Sequence, residues 1–445
     1  MTMNNKLPLE GIRVIDMGIV WALPWTGAML GEMGAEVIRL ESLQYAPRIV
    51  RHGGLPRPAK EFLPFLGTLG KGYPDLDPGE KPWNRYAMFN ALYRSRLSMT
   101  ADITRSKGLE IFYKLVAVSD VFIENNAPGV MERMGITWDK IHEVNPKMVY
   151  VRSSGYGFSG PYRDYSGFGM TLESVSGHSA LRWYDNENMF HQSHSFLADA
   201  SAGAAALFAV FLGLRRCRKT GEGTMVEIGL SENFISHLAY YAMDYAMNGR
   251  LHSAIGNRDL WAIQGCYMCK GIRPKPSAVK TTGEDHWIAI TINNNEEWEG
   301  LCRAMGDPAW TKDEKFADQL NRMKNHDELD KLIEAWTSQH DKYEVMRLLQ
   351  AEGVPAGAVL NSEDVLNDPH LKERGWAVEL KHPEAGTHKY AGPVWKMTKT
   401  PGHVFPAPCL GQHNEYVYKR ILGISDEEYN KLVEEQHIGD SLIGV

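Results

Sequence analysis

A single acidic residue, Asp199, stands at the head of a long apolar run. It is the only Asp, Glu, Lys or Arg between Asn188 and Arg215, and residues 200–210 are apolar or small and contain no proline, which predicts a buried helix. A carboxylate at this point either caps the helix or acts as a nucleophile beside a helix-terminus anion site. Because the following residues are nearly all small, a bulky partner can approach the carboxylate closely.

Composition limits the classes of function. A chain of 445 residues with 43% hydrophobic and 23% charged residues predicts a globular protein with ample core and two domains. The net charge of -7 argues against a nucleic-acid partner. The start of the chain lacks a signal-peptide pattern and the apolar run ends at Arg215, so we expect no membrane segment. Five cysteines, an odd number, suit reduced thiols and a cytoplasmic location.

Cys266 and Cys269 form a CxxC pair. A structural zinc site would need a second pair of ligands at matching spacing, and the sequence offers none. The pattern therefore predicts two half-buried thiols on a strand, and no metal site.

The first part of the chain alternates strands with helices. Strands are expected at 11–16, 35–40, 97–101, 120–124 and 147–152, and helices at 24–33 and 106–118. This alternation predicts an α/β domain with a parallel sheet. The first strand-to-helix turn, at residues 18–24, lacks GxGxxG, and GxxxxGK[ST] is absent from the whole chain, so nucleotide-binding versions of this fold have no support.

The middle of the chain has a different pattern. It predicts a strand at 224–228, a helix at 232–247 and strand character at Tyr267 and 286–291. Helices are expected at 296–305 and 326–350, and strand character returns at 353–359. These elements suggest a compact α+β module.

Short motifs then recur along nearly the whole chain in a fixed order. They are 8–16 (PLEGIRVID), 34–41 (GAEVIRLE), 120–125 (DVFIEN), 128–133 (PGVMER), 154–162 (SGYGFSGPY), 219–223 (KTGEG), 353–357 (GVPAG) and 368–371 (DPHL). Together they resemble the class III CoA-transferases, a family that includes formyl-CoA transferase, the carnitine CoA-transferase and the related α-methylacyl-CoA racemase.

The resemblance implies an architecture and an assembly. A large Rossmann-like domain would be built from residues 1–225 and 353–445, with a smaller α+β domain at 226–352 between them. It also implies an interlocked dimer, formed either by two identical chains or with a related subunit.

The resemblance implies that Asp199 is the nucleophile. It would form a mixed anhydride with the acyl group and then an aspartyl-CoA thioester, with a CoA thioester as substrate and no permanently bound cofactor or metal. Backbone N–H groups would stabilise each oxyanion, and residues 154–160, Gly256 and Gly265 are candidates.

The family pattern also maps CoA-binding residues onto this chain. The implied contacts are made by Arg39, Leu92, Arg94, Arg96, Asn125 and Arg133. For Arg94 and Arg96 the alternative is a solvated loop charge; the match favours contact with phosphate.

The expected substrate pocket, Trp21, Ala22, Phe168 and Gly169, departs from the family pattern. Trp21 stands where formyl-CoA transferase has a glutamine, and Gly169 where many members have a charged residue. Phe168 fills the position of the racemase histidine, so the proton-shuttling racemase mechanism lacks its base.

Aromatic residues predict the acceptor acid. Trp21, Trp25, Phe168, Met170 and Trp183 favour a bulky, aromatic acid, with core packing as the alternative for Trp25 and Met170. This enrichment and an insertion at about 45–83 resemble the benzylsuccinate CoA-transferase branch, which has two related subunits. The expected activity is CoA transfer from a donor such as succinyl-CoA to an acid such as benzylsuccinate. The competing hypotheses are a non-catalytic CoA-binding partner subunit and an acyl-CoA racemase.

Overall fold

The computed structural model describes residues 6–47, 49–66, 71–184, 195–272 and 285–443. The chain forms two compact units. The first comprises Met1–His178, Ser193–Arg250 and Glu373–Val445, and the second comprises Ser179–Gln192 and Leu251–Lys372. The helices before Arg250 group with the first unit, and residues up to Lys372 group with the second, whereas the predicted division was at 226 and 352.

A six-stranded parallel sheet forms the centre of the first unit, as predicted, in the order β3-β2-β1-β4-β5-β6. The strand order reverses between β1 and β4, and open α/β sheets bind ligands outside the carboxyl ends of the strands at such a reversal. The strands are β1 (Arg13–Met17), β2 (Glu36–Glu41), β3 (Leu97–Thr100), β4 (Val121–Glu124), β5 (Val149–Ser154) and β6 (Thr224–Gly229).

Helices cover both faces of this sheet, and apolar side chains from both faces form two buried clusters. The helices are α1 (Ala22–Glu32), α2 (Pro82–Arg85), α3 (Ala87–Leu92), α4 (Ser106–Ala117), α5 (Val130–Arg133), α6 (Trp138–Val144), α7 (Gly169–Val175), α8 (Leu197–Thr220), α9 (Leu230–His237) and α10 (Ala239–Asn248).

The second unit has a three-stranded antiparallel sheet with helices packed on it, which agrees with the expected α+β character. The strands are β7 (Ile263–Met268), β8 (Trp287–Ile292) and β9 (Ala356–Ala358). The helices are α11 (Asn295–Ala304), α12 (Gln319–Lys324), α13 (His326–Thr337), α14 (Lys342–Ala351), α15 (Ser362–Asn367) and α16 (Pro369–Glu373). The chain then returns to the first unit with the hairpin β10 (Ala377–His382) and β11 (Gly386–Ala391), and with α17 (Asp426–Glu434).

Two helices that the sequence predicted as continuous are broken. The predicted helix 232–247 is interrupted at Leu238, which lies between α9 and α10. The predicted helix 326–350 is interrupted because the Asp341 side chain accepts hydrogen bonds from the backbone N–H groups of Tyr343 and Glu344. A side chain that caps a new first turn starts a second helix.

Helix α8 is the one helix in the described ranges that is long and apolar enough to cross a membrane, and half of its most apolar window is buried inside the protein. It packs against α1, β5, β6 and α9. Gly203 of α8 lies so close to α1 that a Cβ there would be 2.6 Å from the carbonyl oxygen of Ala22. The small residues of this run therefore let two helices approach closely, and this packing accounts for the apolar residues on the buried side of α8.

Arg51 attaches the insertion to the sheet. Its guanidinium makes a two-pronged ion pair with Glu41 at the end of β2, with distances of 2.6 and 2.7 Å. The guanidinium also lies 3.8 Å from the centre of the Phe89 ring. Burial alone would raise the pKa of Glu41, but the ion pair and hydrogen bonds with Arg51, the nearby charge of Arg39 and a hydrogen bond from Ser98 together lower the pKa below its usual value. Arg48 and residues 67–70 of the insertion lie outside the described residues.

Candidate active site

Asp199 lies inside the first turn of α8, not before it. The helix begins at Leu197, so Asp199 is its third residue, and Phe196 occupies the capping position in a left-handed conformation. Within the described part of the chain, no hydrogen bond to the Asp199 carboxylate is found, whereas the backbone N–H of Leu197 donates to Oε1 of Glu173 at 2.7 Å. Of the two alternatives for Asp199, the helix cap does not describe it, because the carboxylate that binds the start of α8 comes from α7.

The departure at Gly169 makes room for Asp199. A Cβ on Gly169 would lie 2.7 Å from Oδ2 of Asp199 and 2.9 Å from a ring carbon of Phe196. A side chain at this position would displace the Asp199 carboxylate or the Phe196 ring from the places they take here, so the glycine leaves the carboxylate its present position.

Asp199 opens onto a cavity of about 160 Å³ at the reversal point of the sheet. The loops after β1, β4 and β5 contribute to its walls, together with the starts of α7 and α8 and two residues from the insertion and α3. The lining residues are Ile19, Val20, Trp21, Ile49, Met88, Asn125, Ser153, Ser154, Gly155, Gly167, Phe168, Gly169, Leu172, Phe196, Asp199 and Leu230.

The cavity holds the Asp199 carboxylate without a counter-charge. No Lys, Arg or His belongs to its lining among the described residues. Burial, and then repulsion by the Glu173 carboxylate, raise the pKa of Asp199 to about 6. Near neutral pH the group is ionised and more basic than an ordinary aspartate, as a carboxylate nucleophile requires.

Three non-glycine residues with left-handed backbones line the same cavity. They are Val20, Ile49 and Phe196, with φ of 65°, 63° and 53°. The conformation is unfavourable for β-branched Val20 and Ile49, and such strain concentrates at functional sites. The rings of Phe196 and Trp21 contact each other with centroids 4.2 Å apart. The loop after β1 and the start of α8 are thus in direct contact.

A second cavity of about 270 Å³ lies outside the ends of β1 to β4 and shares Ile19 with the first. Its walls include Ser42, Asp102, Thr104 and Asn126, which follow β2, β3 and β4. Sequence reasoning missed these four residues, although a position directly after a strand of a parallel sheet is a usable signal.

Asn125 and Arg133 lie near these cavities. The side chain of Asn125 accepts a hydrogen bond from the backbone N–H of Ile19 at 2.6 Å and donates one to its carbonyl at 2.9 Å, which ties the loops after β1 and β4 together. Arg133 is exposed on α5, close to Val130 and Met134 of the second cavity.

Arg39 and Arg96 lie in the core of the fold. The Arg96 side chain is fully buried, pairs with Asp16 at 2.9 Å and donates to the carbonyl of Pro24. Arg39 lines the second cavity, but its guanidinium donates to the carbonyl of Gly18 at 2.5 Å and lies 3.7 Å from Asp16. Their CoA contacts stay predictions, and the structure shows that both side chains serve the fold.

Leu92 and Arg94 line a separate cavity together with Trp25 and Tyr390. Arg94 is buried and pairs with Glu32 at 2.7 Å. The structure therefore does not bring these two residues to the Asp199 cavity, and their CoA contacts also stay predictions. The alternative of a solvated loop charge does not describe Arg94 or Arg96, because both are buried.

The expected substrate pocket is assembled in part. Trp21, Phe168 and Gly169 line the Asp199 cavity, with Phe168 68% exposed at its rim. Ala22 is buried in a cluster with Leu172 and Ala198. Trp183, Gly256 and Gly265 belong to the second unit.

Comparison with known proteins assigns the family. The family model described as CoA-transferase family III matches residues 9–414. The chain belongs to CoA-transferase family III. It is 28% identical over 425 residues to the succinyl-CoA–D-citramalate CoA-transferase of Chloroflexus aurantiacus, covering 95% of this chain and 96% of that protein. It is 27% identical to the human succinyl-CoA:glutarate CoA-transferase, covering 98% and 92%. The resemblance in the sequence is thereby confirmed: the protein is a CoA-transferase that uses CoA thioesters.

A solved structure agrees with the fold. The CAIB/BAIF family protein from Brucella suis superimposes with a TM-score of 0.76 at 24% identity, covering 94% of this chain and all of that one. No group of three or more His, Cys, Asp or Glu side chains that could hold a metal occurs in the described ranges. Burial raises the pKa of Cys269 to about 12, which disfavours the thiolate.

The arginines of this family III enzyme give a testable prediction. Arg96→Ala should lower the free energy of unfolding by about 3–5 kcal/mol, because it removes the closest cation from the buried Asp16 carboxylate. Arg39→Ala should lower it less, by about 1–3 kcal/mol, because Asp16 keeps Arg96 and Glu41 keeps Arg51. Exposed Arg133→Ala should change it by less than about 0.5 kcal/mol. If the predicted CoA contacts exist, each variant should also raise the KM for the CoA thioester more than it lowers kcat. Urea denaturation measures the change in stability, and CoA titration measures the change in binding. Unchanged stability of Arg39→Ala and Arg96→Ala would contradict the structural role of these side chains.

Proposed function

We propose that this enzyme transfers CoA from an acyl-CoA donor to an apolar, ring-sized carboxylic acid, with Asp199 as the nucleophile. The observation that supports the nucleophile is an ionisable carboxylate with no hydrogen bond or counter-charge in the described lining, at the wall of a cavity at the reversal point of the sheet. A structural carboxylate in such a place would be expected to have partners.

The proposed reaction balances without a metal or an oxidant. The Asp199 carboxylate attacks the thioester carbonyl and CoA leaves as a thiolate, which gives a mixed anhydride. The thiolate then attacks the aspartyl carbonyl, forming an aspartyl-CoA thioester and releasing the donor acid. The acceptor carboxylate attacks this thioester and releases the thiolate, which attacks the acceptor acyl carbonyl. The product acyl-CoA forms and Asp199 is regenerated.

The lining of the cavity supports an apolar acceptor. The relatives are named for citramalate, malate, glutarate and oxalate, all of which carry a second carboxylate. A second carboxylate needs a cationic partner when buried, and the described lining has none. Trp21, Ile49, Met88 and Phe196 provide apolar walls instead. A cavity of about 150 Å³ with apolar walls is large enough for benzene, and this one measures about 160 Å³.

The second cavity is our proposed site for the nucleotide part of CoA. It lies outside the carboxyl ends of the strands and shares Ile19 with the Asp199 cavity. A pantetheine arm that passes Ile19 and Asn125 would bring the thioester towards Asp199. Succinyl-CoA is proposed as donor from the names of several relatives, and its free carboxylate would then have to stay in solvent at the open side of the Asp199 cavity, because the described lining offers no cation.

The first test replaces the nucleophile. Asp199→Asn should lower the rate of CoA exchange by several orders of magnitude, because the amide cannot attack the thioester. The assay combines the purified protein with a donor, either succinyl-CoA or an uncharged acyl-CoA, and with a panel of aromatic and aliphatic acids. Mass spectrometry follows the formation of new CoA thioesters. Exchange by the variant near the wild-type rate would exclude Asp199, and CoA binding without exchange by the wild type would favour the non-catalytic subunit.

Stability provides the control for this variant. Because the fold raises the pKa of Asp199 from 3.8 to about 6, the folded protein binds the carboxyl proton more tightly than the unfolded chain does. The stability that this protonation contributes is complete below pH 3.8 and is lost as the pH rises through about 6. At pH 7.5 Asp199→Asn should therefore raise the free energy of unfolding by about 1–2 kcal/mol, less than the full shift because the side chain is only partly buried. The difference should vanish near pH 4, and a large loss of stability would mean that Asp199 is structural.

The second test concerns acceptor size. Trp21→Gln should lower kcat/KM for an aromatic acid by a factor equivalent to about 1–3 kcal/mol, because it removes an apolar wall. It should hardly change kcat/KM for a short aliphatic acid. Exposed Trp261→Gln in the second unit is the matched control. Equal losses for both acids would show that Trp21 holds the loop and not the substrate.

We further propose that the enzyme is a dimer of identical chains in the cytoplasm. Large apolar side chains are exposed on α8 (Phe208, Leu212) and α10 (Met243, Met247), and such patches usually mark association surfaces. Two relatives are the alpha and beta subunits of succinyl-CoA–L-malate CoA-transferase, so a related partner is the alternative. Light scattering of the purified chain should give twice 50.1 kDa. A monomer that becomes active only with a second related chain would favour the heteromer.

A further inference from the structure

Glu173 is a buried carboxylate that the reaction above does not use. It lies on α7 one turn after Gly169, and its side chain is 3% exposed. Both of its oxygens accept hydrogen bonds from the hydroxyl of Ser195 at 2.9 Å, and Oε1 also accepts from the backbone N–H of Leu197 at 2.7 Å. The first turn of α8 is therefore held by a carboxylate from another helix.

This arrangement changes what Asp199 can do. An acidic side chain in the first turn commonly binds the free N–H groups of its own helix. At α8 the N–H of Leu197 already donates to Glu173, and a Cβ at Gly169 would lie 2.7 Å from Oδ2 of Asp199. One face of α7 thus supplies both the anion that occupies the helix start and the open space that receives the Asp199 carboxylate.

We propose that Glu173 is a positioning residue that binds the start of α8 and so directs the Asp199 carboxylate into the cavity. The proposal rests on the function proposed for Asp199 and adds a cause for its reactivity. By accepting the backbone N–H of Leu197, Glu173 takes one of the donors at the start of α8 that the Asp199 carboxylate could otherwise bind. By its own negative charge, it disfavours a second charge nearby and makes Asp199 a stronger base and nucleophile.

The surroundings of α7 contain few other titratable groups. On the described elements that pack against it, these are Asp199 near the start of α8, and Glu232 and His237 on α9. His178, which follows α7, has its Nδ1 3.6 Å from Oε2 of Glu173. Repulsion by Glu173 is the second cause, after burial, of the raised pKa of Asp199. Among the charges on these elements, removal of the Glu173 charge should therefore change the pKa of Asp199 the most.

The test replaces the charge and keeps the shape. Glu173→Gln retains an oxygen that can accept the N–H of Leu197 but removes the negative charge. The acid limb of the pH profile of kcat/KM should move down by about one pH unit. Exposed Glu232→Gln on α9 removes a nearby charge that does not contact the start of α8, and its acid limb should stay at the wild-type position. An unmoved acid limb in folded Glu173→Gln would overturn the proposal.

A second measurement does not depend on activity. The stabilisation produced by Asp199→Asn at pH 7.5 should be smaller in the Glu173→Gln background than in the wild type, because the repulsion is already gone. Equal stabilisation in both backgrounds would overturn the coupling. If Asp199→Asn retains exchange while this coupling is present, the proposed function fails and the electrostatic link remains.

If Glu173→Gln does not fold, Glu173→Asp provides the test. The shorter side chain keeps the charge but withdraws it, so the acid limb should again move to lower pH. An acid limb at the wild-type position would then count against the proposal.

Discussion

The close contact between α1 and α8 is the constraint on which the site depends. Gly203 of α8 faces the carbonyl of Ala22, and Thr26 donates a hydrogen bond from Oγ1 to the carbonyl of Gly203 at 2.8 Å. This contact places the first turn of α8 beside the loop after β1, so that Asp199 and Trp21 line one cavity. A larger side chain at position 203 would separate the helices and move the carboxylate away from that loop.

The site stores unfavourable energy in two forms. Asp199 is a partly buried charge without a counter-charge in the described lining, and its raised pKa records the cost. Val20, Ile49 and Phe196 have left-handed backbones around the same cavity. Both features lower stability, and both fit the proposed role of Asp199 as the nucleophile. The close packing of α1 and α8 supplies the rigidity that holds them in place.

Buried ion pairs lie near the carboxyl ends of β1 and β2, next to the reversal point of the sheet. Asp16 at the end of β1 pairs with Arg96 and lies near Arg39, while Glu41 at the end of β2 pairs with Arg51. These pairs connect neighbouring strands to the segment before β3 and to the insertion. The insertion in turn contributes Ile49 to the cavity, so the ion pair of Arg51 with Glu41 also helps to hold one of the apolar walls.

The sequence by itself determined the parallel sheet, the α+β module, the family and the prominence of Asp199, because these follow from local periodicity and from short motifs in order. Tertiary structure decided the rest. Asp199 proved to be inside the first turn because Glu173, 26 residues earlier, caps the helix. Arg94 and Arg96, which read as loop charges or phosphate ligands, are buried because Glu32 and Asp16 pair with them. Such pairings join residues far apart in the chain, and local patterns carry no information about which distant side chain will lie opposite.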